Sequence, residues 1–319
     1  MKYISNTITL NNGKLSENTF NYHKSDGLLF GYLPTWGGSG NPTVSQLAKA
    51  GYNVALVSFG KVIGTDPISI TDGTIASYGP GIKQDEFKKL LKEDTKKAKE
   101  EYGFKYLLLS VGGENNTFNP GNNPSKEDLD TISKNIVEYL KDYGYDGIDF
   151  DLEQVNFNGD DLDYVIKRLR ALMPEIVITG APQINRVGSK MTYVNTGTET
   201  VYTKAIENGD FDYLLVQAYN TPNGFVNANG DFKYIEEFRD AIDENNINSM
   251  NEQGYYNEYS PKFTGYIYNI LKEQTPEKTK IVIGQPATVN GAGAAQVFHK
   301  YALEDVDNMD SVYKALCKQ

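Results

Sequence analysis

The feature that most constrains the fold is a regular alternation of short apolar runs with longer amphipathic segments along the chain. The short runs have the length and composition of β-strands, and each is followed by a helical pattern or a loop. This alternation is typical of a parallel sheet whose strands are joined by helices, so an α/β fold is predicted. The predicted strands are Leu28–Tyr32, Asn53–Phe59, Tyr106–Ser110, Gly147–Glu153, Ile176–Ala181, Tyr213–Tyr219 and Ile281–Pro286.

Seven such units favour a (β/α)8 barrel of the TIM type, which closes with eight strands. The eighth strand is not identifiable in the sequence, where only a helical pattern near Met309–Leu316 follows the seventh. Residues 1–25 are polar and rich in Asn and Thr, and we expect them to form an N-terminal extension. Residues 26–319 are then predicted to form a single barrel domain that carries the catalytic site.

Composition excludes several classes of partner and chemistry. The 42 acidic and 31 basic residues give a net charge of −11, which repels polyanions, so no nucleic-acid partner is expected. The sequence contains no apolar run of membrane-spanning length, and no membrane partner is expected. Cys317 is the single cysteine and His23 and His299 are the only histidines, which leaves little material for a disulfide, a His-rich zinc site or a Ser-His-Asp triad. No cofactor is predicted.

Acidic residues alternate with apolar ones along the fourth predicted strand. Asp149, Asp151 and Glu153 share one face, because side chains alternate between the two faces of a strand. If the apolar face packs under the outer helices, the acidic face lines the barrel interior. Glu153 then lies nearest the C-terminal end of the strand, where barrel enzymes keep their active sites. Carboxyls so close together share protons and have raised pKa values, as a general acid requires.

Two other interpretations of the acidic strand are open from the residues alone. An antiparallel sheet would turn the same three carboxylates towards water on an exposed face. A cluster of Asp and Glu side chains is also the usual ligand set for Mg²⁺ or Ca²⁺.

The acidic strand resembles the DxxDxDxE signature of family 18 glycoside hydrolases, the chitinase family, with its acidic positions at Asp146, Asp149, Asp151 and Glu153. Four further motifs resemble those of the family and occur in the family's order. They are Ser110–Gly113 on strand three, Ala181–Gln183 after strand five, Gln217–Asn220 on strand six and Gly284–Ala287 after strand seven.

The resemblance implies a chitinase that hydrolyses β-1,4 bonds between N-acetylglucosamine units by a substrate-assisted retaining mechanism, without a metal. Glu153 would be the general acid, Asp151 would orient the substrate acetamide, and Asp149 would share a proton with Asp151. Tyr219 would donate a hydrogen bond to the acetamide oxygen. Chitin or N-acetylglucosamine oligosaccharides are the implied partners, and the family's typical location is outside the cell, although no signal peptide is visible in the sequence.

A second set of residues lies at predicted strand ends, where substrate would bind. The aromatic members could stack on sugar rings or simply pack, and the glycines could serve the backbone alone. The set comprises Tyr32, Trp36, Phe59, Gly112, Gly113, Gln217 and Asn220.

Two alternative functions accompany the same resemblance. An endo-β-N-acetylglucosaminidase acting on N-glycans shares the acidic motif, and a non-catalytic chitin-binding lectin can use the same scaffold. Glu153 favours an enzyme, since such lectins lack the acid. The tryptophan that family members carry at the end of strand eight has no visible counterpart, because Trp36 is the only tryptophan and follows strand one.

Overall fold

The structure is a computed structural model of the 319-residue chain, and seven parallel strands form the centre of the part that it describes. The strands are β1 (Phe30–Pro34), β2 (Val54–Ile63), β3 (Tyr106–Gly112), β4 (Gly147–Asp151), β5 (Val177–Gly180), β6 (Tyr213–Gln217) and β7 (Lys280–Gly284). The structure describes residues 27–285 apart from 37–40, 72–75, 80, 156, 189, 222–223, 235–236, 238–246 and 259.

Each strand pairs in parallel with the strand that follows it along the chain, from β1 through to β7. This order is that of consecutive strands in a β/α barrel, and it confirms the predicted parallel arrangement. Three parts of the sequence prediction fall outside the described residues. They are the extension at 1–25, the segment after β7 where an eighth strand would lie, and the helical pattern at 309–316.

Helices connect the strands and cover the outside of the sheet. They are α1 (Val44–Lys49), α2 (Gln84–Tyr102), α3 (Lys126–Tyr143), α4 (Gly159–Leu172), α5 (Thr203–Glu207), α6 (Ile247–Glu252) and α7 (Pro261–Gln274). Among the helices of the described ranges, none is long and apolar enough to cross a lipid bilayer.

Helix α3 illustrates how local sequence fixes the ends of these connectors. The Ser125 side chain accepts from the Asp128 amide and the Asp128 side chain accepts from the Ser125 amide, which forms a capping box. The helix ends at Gly144, whose left-handed backbone (φ 78°) suits glycine. Its apolar stripe follows the 3.6-residue period and is buried at Leu129, Ile132, Ile136 and Leu140.

Alternate strand residues divide the core into two layers. One set, including Ile148 and Phe150 of β4, packs against the helices in the main hydrophobic cluster. The other set faces the barrel axis and forms a smaller cluster that includes Leu56, Leu108 and Leu215. Since strand residues alternate faces, the polar residues of the second set continue this inner layer towards the C-terminal ends of the strands. The functional site lies there.

Strands β4 and β6 end earlier than the sequence predicts. Glu153 and Tyr219 were both expected inside strands, but β4 ends at Asp151 and β6 ends at Gln217. The predicted end of β4 was wrong because its ladder with β5 stops at the pair Phe150–Gly180, beyond which β5 offers no strand partner. Both side chains therefore lie just past the strand ends.

Candidate active site

The strand register brings three polar side chains together inside the barrel. Asp149 of β4 is paired with Ser110 of β3 on one side and with Thr179 of β5 on the other. All three residues are fully buried. The Ser110 hydroxyl donates to Asp149 Oδ2 at 2.7 Å, and the Thr179 hydroxyl donates to Asp149 Oδ1. From β1, the Tyr32 hydroxyl donates to the same Oδ2 at 3.0 Å. Both oxygens of Asp149 therefore accept hydrogen bonds.

Burial and these hydroxyl groups have opposite effects on the pKa of the deepest carboxyl. Burial raises the pKa of Asp149, whereas the hydrogen bonds from Thr179, Ser110 and Tyr32 act in the opposite direction. Three donors directed at one carboxyl stabilise its ionised form, since a carboxylate only accepts hydrogen bonds. Asp149 is therefore the better placed of the two deep acids to carry the negative charge.

Asp151, two residues further along β4, lies beyond the hydroxyl donors that bond Asp149. It is 7% exposed and accepts a hydrogen bond from Gln217 Nε2 at 3.0 Å. Burial holds its pKa well above the usual carboxyl range, and the charges of Asp149 and Glu153 raise it further. Burial and the neighbouring charges therefore both favour the protonated form of Asp151.

Glu153 lies beyond the end of β4 and is half-buried. Burial raises its pKa, Gln217 opposes that effect, and the nearby charge of Glu114 adds to it. Because Glu153 is the most solvent-accessible of the three acids, it can reach a bound molecule at the mouth of the barrel. A raised pKa keeps a larger fraction of it protonated near neutral pH, which suits a general acid.

Tyr219 faces the same acids from the end of β6. Burial raises its pKa, and the charges of Asp151, Glu153 and Asp149 raise it further, which places the phenol beside the acidic face. The hydroxyl therefore stays protonated at neutral pH and can donate a hydrogen bond. The next residue, Asn220, is exposed and has a left-handed backbone (φ 53°), so it forms the turn at the rim.

Gly112 and Gly113 shape the backbone beside Asp151. A Cβ on Gly112 would lie 2.0 Å from the Asp151 carbonyl oxygen, and φ is 114°. A Cβ on Gly113 would lie 2.6 Å from the Phe59 ring, and the Gly113 amide donates to the Asp151 carbonyl at 2.6 Å. Both positions favour glycine, because a side chain at Gly112 would push β3 away from the acidic strand and one at Gly113 would collide with the Phe59 ring.

Aromatic side chains form an open surface at the mouth of the barrel. The Trp36 ring is 48% exposed and stacks on half-buried Phe59, with 5.6 Å between ring centroids and 16° between planes. Tyr32 is 43% exposed although its hydroxyl reaches Asp149. Flat exposed rings beside carboxyls suit the apolar faces of sugar rings.

The burial of the acidic strand overturns one of its interpretations. An exposed acidic face is wrong, because Asp149 is fully buried and Asp151 nearly so, inside a parallel sheet. As for a metal, the described residues contain no group of three or more His, Cys, Asp and Glu arranged to hold an ion. The oxygens of Asp149 are engaged by hydroxyl donors, as described above.

Sequence reasoning missed two residues of this site. Thr179 was passed over as an ordinary strand residue, although its place on the interior face of β5 marks it as a polar group in an apolar layer. Tyr202 donates its hydroxyl to the Phe150 carbonyl and accepts from the Leu152 amide, both at 2.7 Å. It carried no signal, because it is one of 23 tyrosines and lies outside every motif.

Asp146, the first acidic residue of the motif, lies apart from the other three. Its carboxylate accepts from the Leu107 amide at 2.8 Å and pairs with Lys99 at 2.9 Å on the outer side of the sheet. Its position therefore secures the start of β4 between β3 and α2.

Comparison with known proteins gives a consistent result. The sequence profile described as "Glycosyl hydrolases family 18" matches residues 28–309. The chain is 26% identical over 285 residues to a chitinase of Enterococcus faecalis, covering 85% of this chain and 72% of that protein.

Two solved structures have the same fold. A family 18 chitinase from Chromobacterium violaceum has a TM-score of 0.59 at 20% identity, covering 85% of this chain and 68% of that one. A fungal endo-β-N-acetylglucosaminidase of family 18 has a TM-score of 0.52 at 18% identity, covering 84% and 80%. The similarity of these structures confirms the predicted α/β barrel of the TIM type.

Proposed function

The chain belongs to glycosyl hydrolases family 18, and we propose that it hydrolyses the β-1,4 bonds between N-acetylglucosamine units of chitin, with Glu153 as the general acid. Membership of this family makes the chain a glycoside hydrolase. The chitinase of Enterococcus faecalis supports chitin as the substrate class. Because chitin is an insoluble polymer, we expect the enzyme to meet it outside the cell.

The observation that carries the proposal is the graded burial of three acids along one strand. Asp149 is fully buried, Asp151 is 7% exposed, and Glu153 is half-buried at the mouth. Only Glu153 combines access to a bound molecule with a pKa raised by burial. It can therefore deliver a proton to the oxygen of the leaving sugar.

The graded burial of the three acids also disfavours a protein nucleophile. A retaining glycosidase of the two-carboxylate kind needs a second carboxylate that is ionised and open to the anomeric carbon. Asp151 meets neither condition, because it is nearly enclosed and its pKa is held well above the usual carboxyl range. The substrate's own acetamide oxygen then attacks the anomeric carbon as Glu153 protonates the glycosidic oxygen. The resulting oxazolinium ion is opened by water, with retention of configuration.

The remaining residues hold the acetamide during this step. Asp151 accepts a hydrogen bond from the acetamide N–H and balances the positive charge of the oxazolinium ion. A proton shared with Asp149 lets Asp151 gain negative charge as that ion forms. Tyr219 donates to the acetamide oxygen. Trp36 and Phe59 support a sugar ring next to the reacting one.

The alternative substrate is the N-glycan core, which the fungal endo-β-N-acetylglucosaminidase of similar fold brings into consideration. Incubating the enzyme with chitin oligosaccharides and with an N-linked glycoprotein distinguishes the two, by chromatography of the released sugars. Fully deacetylated oligosaccharides should remain uncleaved, since they lack the attacking oxygen.

Glu153→Gln is the direct test of the acid. We expect kcat to fall at least ~10²-fold, because glutamine keeps the shape but has no proton to give. Glu175→Gln is the matched control, since Glu175 is an exposed carboxylate just before the start of β5, at the opposite end of the sheet from the mouth. Unchanged turnover in Glu153→Gln would refute the role of Glu153. Binding of chitin oligosaccharides by a parent that cleaves neither substrate would instead point to a lectin.

A further inference from the structure

Tyr202 contacts the acidic strand at the point where its regular pairing ends. The residue is fully buried at the start of α5, and its ring packs beside Phe211 with 6.1 Å between centroids. Its hydroxyl donates to the Phe150 carbonyl and accepts from the Leu152 amide, both at 2.7 Å. One side chain therefore bonds the backbone on either side of Asp151.

The contact substitutes for a missing strand partner. The β4–β5 ladder ends at Phe150 and Gly180, after which the Ala181 amide makes a last bond to the Phe150 carbonyl at 2.9 Å. The Leu152 amide has no strand residue opposite it on that side, and the Tyr202 hydroxyl takes that place. On the other side, the Gly113 amide donates to the Asp151 carbonyl at 2.6 Å.

We propose that Tyr202 is a positioning residue for the hydrolytic reaction, whose hydroxyl extends the β4 ladder by one side-chain bond and so fixes Asp151 at the end of the strand and Glu153 beyond it. The inference rests on the proposed function. Tyr202 faces the outer layer and does not touch substrate; it acts through the backbone at Phe150 and Leu152. Its fixed ring matters, because a buried aromatic has little freedom and its hydroxyl holds a constant position.

The role follows from how steeply catalysis depends on geometry. An acid that moves by about 1 Å from its productive position can lose on the order of 10²-fold in rate. Glu153 is followed by loop, so its backbone is held on one side only. Without the Tyr202 hydroxyl, the Leu152 amide loses its partner while the Phe150 carbonyl keeps the Ala181 amide. The backbone at Leu152, between Asp151 and Glu153, therefore becomes less constrained.

Tyr202→Phe tests the proposal with Tyr193→Phe as the control. Tyr193 is also a buried tyrosine, 3% exposed, and its hydroxyl bonds Thr275 Oγ1 at 2.7 Å in a region away from the acids. We expect kcat on chitin oligosaccharides to fall about tenfold in Tyr202→Phe with KM changed less than about threefold, because positioning acts on the transition state. Tyr193→Phe should keep kcat within about twofold of the parent.

A second readout does not require activity. Glu153 faces Asp151 on its own strand, Glu114 from the loop after β3 and Tyr219 from the end of β6. Burial raises the pKa of Glu153, so a looser strand end should expose the carboxyl and lower that pKa in Tyr202→Phe. NMR titration of the labelled Glu153 carboxyl measures this directly.

The outcomes separate the inference from the function it rests on. An inactive parent whose Glu153 pKa still falls in Tyr202→Phe supports the positioning role and overturns the proposed function. An active parent whose kcat and Glu153 pKa respond equally in Tyr202→Phe and Tyr193→Phe overturns the positioning role, since a general loss of stability would then explain both variants.

Discussion

Replacing Gly112 by alanine should separate the backbone geometry of the site from its chemistry. A Cβ at this position would lie 2.0 Å from the carbonyl oxygen of Asp151 and 2.6 Å from its carbonyl carbon, where real Cβ atoms do not come within 3.0 Å. Because both contacts are with backbone, no side-chain rotation can relieve them. Strands β3 and β4 must separate by about 1 Å at the place where Asp151 is held.

The expected magnitude has two parts. Alanine with φ near 114° costs about 1–3 kcal/mol, and overpacking against Asp151 adds about 1–3 kcal/mol to the loss in free energy of unfolding. A displacement of about 1 Å beside the acids should lower kcat on the order of 10²-fold. The chemistry of every acid remains intact in this variant.

Gly121→Ala is the matched control for the backbone cost. Gly121 has φ of 100°, and a Cβ there would meet nothing within 4 Å. Urea unfolding and oligosaccharide hydrolysis should show about 1–3 kcal/mol of destabilisation and nearly parental kcat in this control. If the two alanine variants match in both free energy of unfolding and kcat, the close approach to Asp151 has no effect on the site and the reasoning is wrong.

Two further predictions concern stability and binding. Because burial raises the pKa of Asp151, the folded protein holds a proton that the unfolded chain releases as pH rises, so this carboxyl destabilises the fold increasingly above the ordinary carboxyl range. Asp151→Asn should therefore raise Tm at pH 7 and raise it less at pH 4, while hydrolysis falls; thermal unfolding across this range would contradict the assignment if the gain were greater in acid. Trp36→Ala should raise KM for long oligosaccharides about 3–10-fold with little change in kcat, since an exposed stacking ring contributes to binding alone. An unchanged KM would remove Trp36 from the binding surface.

Local patterns were sufficient to predict the strands and the face on which the acids lie. The alternation of Asp149 and Asp151 with apolar residues has a period of two, which fixes opposite faces whatever the neighbours are. The capping box at Ser125 and the stop at Gly144 are likewise encoded within a few residues. These features needed no knowledge of which strands meet.

Contacts between distant residues could not be predicted in the same way. Thr179 bonds Asp149 across 30 positions and Tyr202 bonds Leu152 across 50. The first contact depends on the stagger of neighbouring strands, and the second depends on where α5 begins relative to β4. A sequence pattern fixes faces but not which interior residues stand side by side. Gln217 shows the consequence: it was predicted to bind substrate, and its amide lies on the Asp151 carboxyl at 3.0 Å.

The spacing of the acids also gives each carboxyl a different environment. Each acid lies two residues beyond the previous one, which is roughly 6.6 Å along a strand, so a single strand passes from the dry interior to the mouth within three carboxyls. Asp149 lies where neighbouring strands offer hydroxyls, whose hydrogen bonds oppose the effect of burial on the pKa of its carboxyl. Asp151 lies above those hydroxyls but below solvent, where burial and the charges of the other two acids raise its pKa well above the usual carboxyl range. Glu153 lies at the mouth, where burial is least and the carboxyl meets solvent. The two-residue period that places these groups on one face thereby grades their burial, and with it the physical cause that sets the pKa of each carboxyl.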